Sequence, residues 1–546
     1  MASRSWFSPL GWLLSPEFPA IVRFFLAALS GAVLSLSFYG AHPSFYSWFC
    51  LAILLFSILG ARARVAFICG YLHGLIFVVT CVPWVAEVLS VHGGMSAAAG
   101  WAVLLLIATV WGCSIGLFAW MVQRLSQQEM GLALLGAPFL WISTEVFRAY
   151  LPEISFPWAL LGYPAAGNPA LVQITTITGI YGISFLVAVF NALLIWIVAS
   201  PPAKRKNRGM VVTAILVLLF AVQIVGPRFV PTAPASHIAR VVQPNFPETE
   251  GYAGDWYADH KADMTELEQL SLRRSPGLRQ PDLLVWPEAP APFSFQDPHF
   301  GPYISRLATE FQHPVVIGVI DWKPIVESGK GIPRTGLVPY NSAAMLNPIG
   351  QEAFLYDKIH LVPFGEYEPF PLIHQVVSSV SQEVGGFRKG TARNVGRFSN
   401  GNTFSTFICY EAIYAGEIRQ FANNGAQLLI NVSNDGWFGK SEAAEQHLRM
   451  ARVRAVENRR WLIRDTNSGI TAAIDPYGNV TRVMQRDTRA AADLPYDFRT
   501  GKTVYTRFGD WFAWMCVGVS AILVLLTFRK AKSPGLARAP QTPHDS

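Results

Sequence analysis

Three side chains that together suit acyl-transfer chemistry each follow an apolar run of the sequence. Glu288 comes after Leu-Val-Trp-Pro, Lys358 after Leu-Tyr-Asp, and Cys409 directly after Thr-Phe-Ile. A thiol is a modest nucleophile until a base takes its proton, so the carboxylate of Glu288 suits the role of general base. A fixed cation such as Lys358, with the backbone N–H beside the nucleophile, suits stabilisation of an oxyanion. The residue types therefore predict a thioester intermediate on Cys409.

Each of these residues also has a simpler interpretation when it is taken alone. A cysteine after an apolar strand is most often an inert core residue. Taken alone, Lys358 would be interpreted as a surface cation, and Glu288 as a turn residue. The three runs together favour a nucleophilic site. Two histidines, His360 and His447, are expected to be hydrogen-bonded structural groups, because no third ligand at suitable spacing indicates a metal. We predict no metal and no cofactor.

Cysteine usage supports a chemical role for Cys409. The other five cysteines lie in apolar segments, where a small hydrophobic thiol is ordinary; they are Cys50, Cys69, Cys81, Cys113 and Cys516. Cys409 is therefore alone in the more polar part of the chain, where it has no partner for a disulfide. A free thiol in an exported domain suggests a specific role for the cysteine, and catalysis is one such role.

The segments that must position the three residues alternate between strand-like and helix-like patterns. Such an order predicts sheets covered by helices, with reactive groups at strand ends. Strands are expected at 237–243, 282–287, 314–320, 341–347, 352–357, 403–409, 427–432, 461–466 and 470–475, and helices at 254–274, 301–312, 414–423 and 441–458.

The rest of the chain is too apolar for a soluble protein. Only 14% of the 546 residues are charged and 51% are hydrophobic, whereas soluble domains carry roughly 25% charged residues. Windows long enough to cross a bilayer as helices lie near 20–38, 44–60, 65–85, 96–122, 131–147, 170–199, 209–227 and 508–528. The predicted organisation is seven transmembrane helices in 1–227, a catalytic domain in 228–507, an eighth span at 508–528 and a tail at 529–546.

Basic residues give the predicted orientation, because loops rich in lysine and arginine stay in the cytoplasm. They cluster before the first span, in alternate loops and after the eighth span, for example at 204–208 and 529–532. Both termini are therefore predicted to be cytoplasmic and the domain 228–507 extracytoplasmic. The net charge of +7 lies on the cytoplasmic side, so no basic face remains to bind nucleic acid. Two polar residues inside spans, His73 and Glu145, are either functional or at interfaces.

The catalytic runs carry a specific family resemblance. Together with Asn434-Asp-Gly-Trp-Phe-Gly and Gln446-His447, they resemble the nitrilase superfamily, whose Glu-Lys-Cys set stands on an αββα sandwich. With the predicted spans, the whole chain is similar to the apolipoprotein N-acyltransferase family of Gram-negative bacteria. The resemblance implies Glu288, Lys358 and Cys409 as the catalytic set. It also implies supporting or substrate-binding roles for Glu366, Tyr410, Glu411 and Trp256. For Glu366 and Glu411 the alternative interpretation is a simple ion pair with a nearby arginine.

The resemblance implies a two-step reaction at the inner membrane of a bacterium, with the domain in the periplasm. Cys409 would take an acyl chain from a phospholipid, typically phosphatidylethanolamine, and pass it to the α-amino group of the S-diacylglyceryl-cysteine of an apolipoprotein. Aromatic and aliphatic residues of the site mouth are expected to guide acyl chains; they are Phe364, Phe370, Leu372 and Ile373. Two alternatives stay open, namely a membrane-tethered nitrilase-type amidase with water as the acceptor and a non-catalytic lipid-binding scaffold.

Overall fold

The structure is a computed structural model. It describes residues 15–40, 44–151, 155–200, 202–247, 260–274, 279–288, 295–324, 336–367, 386–482 and 484–527. Four residues named above, Trp256, Phe370, Leu372 and Ile373, lie outside these ranges, as does the predicted tail at 529–546.

Eight helices of eight or more residues precede the first strand in the described residues. They are α1 (Ala20–Leu36), α2 (Ser44–Ile58), α3 (Ala63–Cys81), α4 (Trp84–Val91), α5 (Ala97–Ser126), α6 (Met130–Tyr150), α7 (Ile180–Val198) and α8 (Pro202–Ile224). All but α8 contribute buried apolar side chains to one large core. This part of the chain is a helical bundle.

Two boundaries of the bundle differ from the prediction for a clear reason. The window at 65–85 is helical only to Cys81, and α4 is a separate helix, because Pro83 cannot donate a backbone hydrogen bond and so breaks the first helix. The window at 170–199 contains two short turns and then α7. They are separated by Gly179, whose positive φ of 63° favours glycine.

The domain after the bundle contains two six-stranded sheets. The first has the order β12-β1-β2-β3-β4-β5 and the second β11-β10-β9-β8-β7-β6. The strands are β1 (His237–Gln243), β2 (Leu283–Val285), β3 (Val315–Pro324), β4 (Leu337–Leu346), β5 (Glu352–Asp357), β6 (Gly396–Arg397), β7 (Thr403–Ile408), β8 (Leu428–Ser433), β9 (Trp461–Thr466), β10 (Ala472–Ile474), β11 (Val480–Arg482) and β12 (Ala490–Tyr496).

Helices cover the outer faces of the two sheets. They are α9 (Lys261–Leu272), α10 (Phe300–Phe311), α11 (Ala415–Asn423) and α12 (Ala443–Asn458). Apolar residues of α9 and α10 form one core with the first sheet, while residues of α11 and α12 share another with the strands of both sheets. The expected α/β sandwich is confirmed.

Most of the predicted elements of this domain are present, with shifted ends. Of the helix predicted at 254–274, the described part is α9. Three strands were not predicted, and β12 is the longest of them. Its run of three alanines does not favour a strand, but antiparallel pairing with β1 along its whole length places it in the sheet.

Strand direction explains how two of the catalytic candidates meet. Strands β2 and β3 are parallel, and β3–β4 and β4–β5 are antiparallel, so β2 and β5 run in the same direction. Their carboxyl ends therefore lie at the same edge of the sheet. Glu288 follows β2 and Lys358 follows β5, which places both residues at that edge.

After the second sheet, the chain ends its described part with α13 (Trp511–Thr527). Within the part of the chain that the structure describes, five helices suit a membrane span by length and composition, namely α3, α5, α6, α7 and residues Ala203–Ile224 of α8; α1, α2 and α13 are apolar but shorter. Each predicted window thus contains an apolar helix, while the number of eight spans stays a prediction.

Helix α12 joins the sandwich to the bundle. The guanidinium of Arg452 donates to the carbonyl of Ala166 at 2.7 Å, and the carboxylate of Glu457 accepts the backbone N–H of Ile180 at 3.1 Å. Both side chains are buried. Helix α12 therefore anchors the second sheet to the bundle through buried polar contacts.

Candidate active site

Lys358 lies between two carboxylates. Its Nζ donates to Glu288 Oε1 at 3.1 Å and to Glu366 Oε1 at 2.9 Å, and its side chain is 1% exposed. Burial alone would lower the pKa of Lys358, but the charges of Glu288 and Glu366 outweigh it and raise the pKa above its usual value. Lys358 is therefore a fixed ammonium ion.

Asn341, in β4, connects the same two carboxylates. Its Nδ2 donates to Glu288 Oε1 at 2.7 Å and to Glu366 Oε1 at 2.6 Å. Sequence reasoning missed this residue. The available signal was a polar Asn-Ser pair, Asn341 and Ser342, at the start of an otherwise apolar strand segment. Glu366 thus pairs with Lys358 and Asn341 and not, as one interpretation had it, with an arginine.

The two carboxylate oxygens of Glu288 differ in their hydrogen bonds. Oε2 is buried and accepts no hydrogen bond from any residue that the structure describes, whereas Oε1 is held by Lys358 and Asn341. A buried carboxylate oxygen without a donor is costly unless another group uses it. This oxygen has the properties expected of a general base.

The thiol of Cys409 lies within the field of both charged groups. Burial raises the pKa of Cys409, the negative charge of Glu288 raises it further, and the positive charge of Lys358 opposes this effect. The thiol is 6% exposed. The structure therefore brings together all three residues of the predicted catalytic set, and the raised pKa of the Cys409 thiol favours its protonated form.

The backbone at Cys409 is strained. The residue has a positive φ of 47°, at the point where β7 ends and a short 3-10 helix (Cys409–Ile413) begins. A non-glycine residue in this region costs about 1–3 kcal/mol and persists only where its surroundings hold it. The first N–H groups of a helix lack an acceptor within it, and the N–H of Tyr410 is in this position, directly after Cys409.

Glu411 joins the cysteine turn to the lysine segment. Its Oε2 accepts the N–H of Ile408 at 2.8 Å, while its Oε1 accepts the N–H groups of Ile359 and His360 at 2.8 and 3.1 Å and the hydroxyl of Tyr356 at 2.8 Å. Burial raises the pKa of Glu411, although these donors favour the ionised form. The partners are backbone and phenol groups and not arginines, so Glu411 positions two loops.

Tyr410 attaches the nucleophile turn to the bundle. Its ring stacks on Phe156 with centroids 6.4 Å apart, and its hydroxyl lies 3.5 Å from the carbonyl oxygen of Ser155. The hydroxyl of Tyr414 donates to the same carbonyl at 2.9 Å. The segment between α6 and α7 therefore contacts the residues that directly follow Cys409.

The four histidine and glutamate side chains with open interpretations are all hydrogen-bonded. His360 contacts Glu417 at 3.3 Å, and His447 Nε2 lies 3.0 Å from the carbonyl oxygen of Cys409, as expected of structural groups. Inside the bundle, His73 contacts a serine hydroxyl at 2.9 Å, and Glu145 accepts a backbone N–H at 2.7 Å. His73 thus connects α3 to α1, and Glu145 connects α6 to the segment that follows it.

A cavity of about 580 Å³ lies between the bundle and the site segments. Its walls include Tyr150 and Leu151 from the bundle, Leu361 and Pro363 after Lys358, and Tyr414 after the cysteine turn. Both parts of the chain therefore line one cavity, whose walls include Ile359, the residue after Lys358, but not Glu288, Lys358 or Cys409.

The fold and the site define a class of protein. Residues 239–496 match the carbon–nitrogen hydrolase family and residues 30–193 match the N-terminal domain of apolipoprotein N-acyltransferases. Among solved structures, a carbon–nitrogen hydrolase from Helicobacter pylori has 18% sequence identity and a TM-score of 0.34, and the match covers 54% of this chain and 95% of that one. The class is a carbon–nitrogen hydrolase domain attached to an apolar helical bundle.

Full-length relatives define the family. An apolipoprotein N-acyltransferase of Geobacter metallireducens is 33% identical over 95% of this chain and 98% of its own length. Another, of Chlorobaculum tepidum, is 29% identical over 92% of this chain and 96% of its own. The chain belongs to the apolipoprotein N-acyltransferase family, and with its apolar helices it is a membrane protein.

Proposed function

We propose that this chain transfers an acyl chain from a membrane phospholipid, through a thioester on Cys409, to the N-terminal α-amino group of S-diacylglyceryl-cysteine on apolipoproteins. The observation that carries the proposal is the buried cluster at the end of β7, where the charges of Glu288 and Lys358 both act on the thiol of Cys409. Family membership supports the acceptor, since the relatives are named for N-acylation of apolipoproteins.

In the first step Glu288 takes the thiol proton as Sγ attacks the ester carbonyl carbon of the phospholipid. Lys358 and the N–H of Tyr410 stabilise the oxyanion that forms. When this intermediate collapses, the carbon–oxygen bond of the ester breaks, and protonated Glu288 returns the proton to the leaving alkoxide. The products are a lysophospholipid and the thioester on Cys409.

In the second step the α-amino group of the apolipoprotein attacks the thioester carbonyl. An α-amino group with a pKa near ~8 is partly unprotonated at neutral pH, so it attacks without prior activation. The carbon–sulfur bond breaks, Glu288 receives a proton from the amine and transfers it to the departing sulfur, and the free thiol is restored. Exclusion of water protects the thioester between the two steps.

The membrane topology is part of the same proposal. We place eight spans in the inner membrane, with α1, α2 and α13 crossing it in addition to the five longer helices, both termini in the cytoplasm and the sandwich in the periplasm. Support comes from the distribution of basic residues and from the contacts between the 155–156 segment and the cysteine turn, which require both to lie on one side. The proposed acyl donor is phosphatidylethanolamine.

Isolation of the acyl-enzyme tests this function. The purified protein is incubated with phosphatidylethanolamine that carries a labelled sn-1 chain, and hydroxylamine-labile label is located on the Cys409 peptide, with Cys409→Ala as the control. We expect label on the wild type only and its discharge when a diacylglyceryl lipopeptide amine is added. Discharge at the same rate without the amine would favour a hydrolase, and the absence of label would leave the scaffold interpretation.

A cellular experiment addresses the acceptor. Mass spectrometry of lipoprotein N-termini in a strain whose only copy is Cys409→Ala is expected to show diacylated forms that lack the N-linked chain. Fully acylated N-termini in that strain would contradict the proposal.

A further inference from the structure

A buried histidine holds the carbonyl of the nucleophile. His447, on α12, is 0% exposed, and its Nε2 lies 3.0 Å from the carbonyl oxygen of Cys409. We propose that His447 is a positioning residue that fixes the peptide plane after Cys409 and so aims the N–H of Tyr410 at the developing oxyanion. The inference rests on the thioester chemistry proposed above and adds a residue to it.

The neighbours of His447 set its tautomer. A carbonyl oxygen only accepts hydrogen bonds, so Nε2 must carry the proton in this contact. On the other side of the ring, Nδ1 lies 3.1 Å from Asp435 Oδ1 and 3.1 Å from Arg464 Nη2, which itself contacts both carboxylate oxygens of Asp435 at 2.7 Å. The guanidinium can only donate to Nδ1 and the carboxylate can only accept from it, so these two contacts fix the orientation of the ring, while the carbonyl of Cys409 fixes the proton on Nε2.

The same neighbours keep the imidazole neutral. Burial lowers the pKa of His447, the charge of Arg464 lowers it further, and Asp435 opposes them. The charge of Arg464 likewise holds the pKa of Asp435 well below its usual range, although burial acts in the opposite direction. The arginine–aspartate pair therefore holds the ring at Nδ1, which keeps Nε2 directed at the carbonyl oxygen of Cys409.

Peptide geometry carries this effect to the reacting atoms. In a trans peptide the carbonyl oxygen of one residue and the N–H of the next point in opposite directions within one rigid plane. Holding the oxygen of Cys409 thus determines the direction of the N–H of Tyr410. The strained φ of 47° at Cys409 requires such an external hold, because a relaxed backbone would rotate this plane.

The bundle in turn holds the histidine. Trp158, in the segment between α6 and α7, stacks on the His447 ring with centroids 5.7 Å apart and an interplanar angle of 29°. Its indole N–H donates to Gln446 Oε1, the neighbouring residue on α12, at 2.7 Å. A residue of the membrane part thereby fixes the ring that positions the nucleophile turn.

Two amide substitutions of different reach test the inference. In His447→Gln the side-chain amide nitrogen approximates the position of Nε2, whereas in His447→Asn it is too short to reach the carbonyl of Cys409. The full-length enzyme is mixed with labelled phosphatidylethanolamine, and the rate of thioester formation is measured in a single turnover. We expect H447N to form the thioester about 100-fold more slowly than the wild type, the size of effect typical of a misplaced catalytic group, and H447Q to remain within about tenfold of it.

Two further measurements separate positioning from a loss of fold. Asn458→Leu removes a buried, hydrogen-bonded side chain at the far end of α12 and is expected to leave the acylation rate unchanged. Alkylation of Cys409 by iodoacetamide forms no oxyanion, so H447N is expected to retain the alkylation rate of the wild type.

The outcomes are distinguishable. Equal acylation rates in H447N and H447Q, or an equal loss in N458L, would overturn the positioning role of His447 while leaving the thioester mechanism intact. A loss of alkylation parallel to the loss of acylation in H447N would also overturn it, because it would indicate a damaged thiol environment. Absence of a thioester in the wild type would instead remove the proposed function itself.

Discussion

The ammonium of Lys358 lies 3.1 Å from Glu288 Oε1, and the other carboxylate oxygen of Glu288 is buried without a donor among the described residues. One oxygen of the carboxylate is thus used for orientation and the other is available for a proton. This division explains how a single glutamate is both fixed in place and able to act as a base.

Replacement of Glu288 by glutamine separates these two uses. The amide oxygen still accepts from Lys358 and Asn341, but the side chain cannot take a proton. We expect a loss of about 10²- to 10⁴-fold in the rate of thioester formation, the usual contribution of general-base catalysis, with an unchanged melting temperature. Glu268→Gln, which removes an exposed ion pair with Arg306, is the control and is expected to have no effect on the rate. Wild-type acylation in E288Q would contradict the assignment.

The pH dependence of thiol alkylation follows from the environment of Cys409. Burial and the charge of Glu288 raise the pKa of the thiol, so the thiolate forms only above the usual range near ~8.5. We expect iodoacetamide alkylation of Cys409, measured by mass spectrometry of its peptide, to be slow at neutral pH and to increase beyond that range.

The E288Q variant tests the direction in which the charge of Glu288 shifts the pKa of the Cys409 thiol. Removing a negative charge lowers the pKa of the Cys409 thiol, so the alkylation profile is expected to move to lower pH. A profile that moves to higher pH, or wild-type alkylation already complete at neutral pH, would show that Glu288 does not act on the thiol in this way.

Asn341 provides a prediction that the sequence alone did not make. Asn341→Leu removes one of the two donors that the carboxylates of Glu288 and Glu366 share, the other being Lys358, which should cost about 1–3 kcal/mol of folding free energy and slow acylation. Thermal unfolding and single-turnover acylation measure the two effects. Asn394→Leu, which removes one exposed hydrogen bond to the carbonyl of Leu355, is the control. If N341L and N394L behaved alike, Asn341 would have no special role.

Glu411 is predicted to act through the backbone. Both carboxylate oxygens of Glu411 accept backbone N–H groups, those of Ile408 and Ile359. In Glu411→Gln one of these oxygens is replaced by an NH₂ group, which cannot accept, so one buried N–H loses its acceptor at a cost of about 1–3 kcal/mol. We expect a lower melting temperature together with slower acylation, because the lysine and cysteine segments are no longer joined. Slower acylation at an unchanged melting temperature would instead indicate direct participation of Glu411 in the chemistry.

Local sequence was sufficient to predict the candidate reactive groups and most of the elements that hold them. An apolar strand followed by Glu288 or Cys409 is a pattern of a few neighbouring residues, and the long apolar windows are equally local. Helix ends were less predictable, since a single Pro83 or Gly179 moved them. The alanine-rich β12 was missed because its pairing with β1 joins residues far apart in the sequence.

What the tertiary structure alone decided is which groups meet. The link that Asn341 makes between two carboxylates, the four donors gathered by Glu411 and the hold of His447 on the Cys409 carbonyl depend on the directions of strands and on the packing of α12. Residue type determines which hydrogen bonds and ion pairs a side chain can form. Its actual partners depend on which segments, far apart along the chain, come within a few ångströms of each other. Such distances exist only once the two sheets and the bundle have packed together.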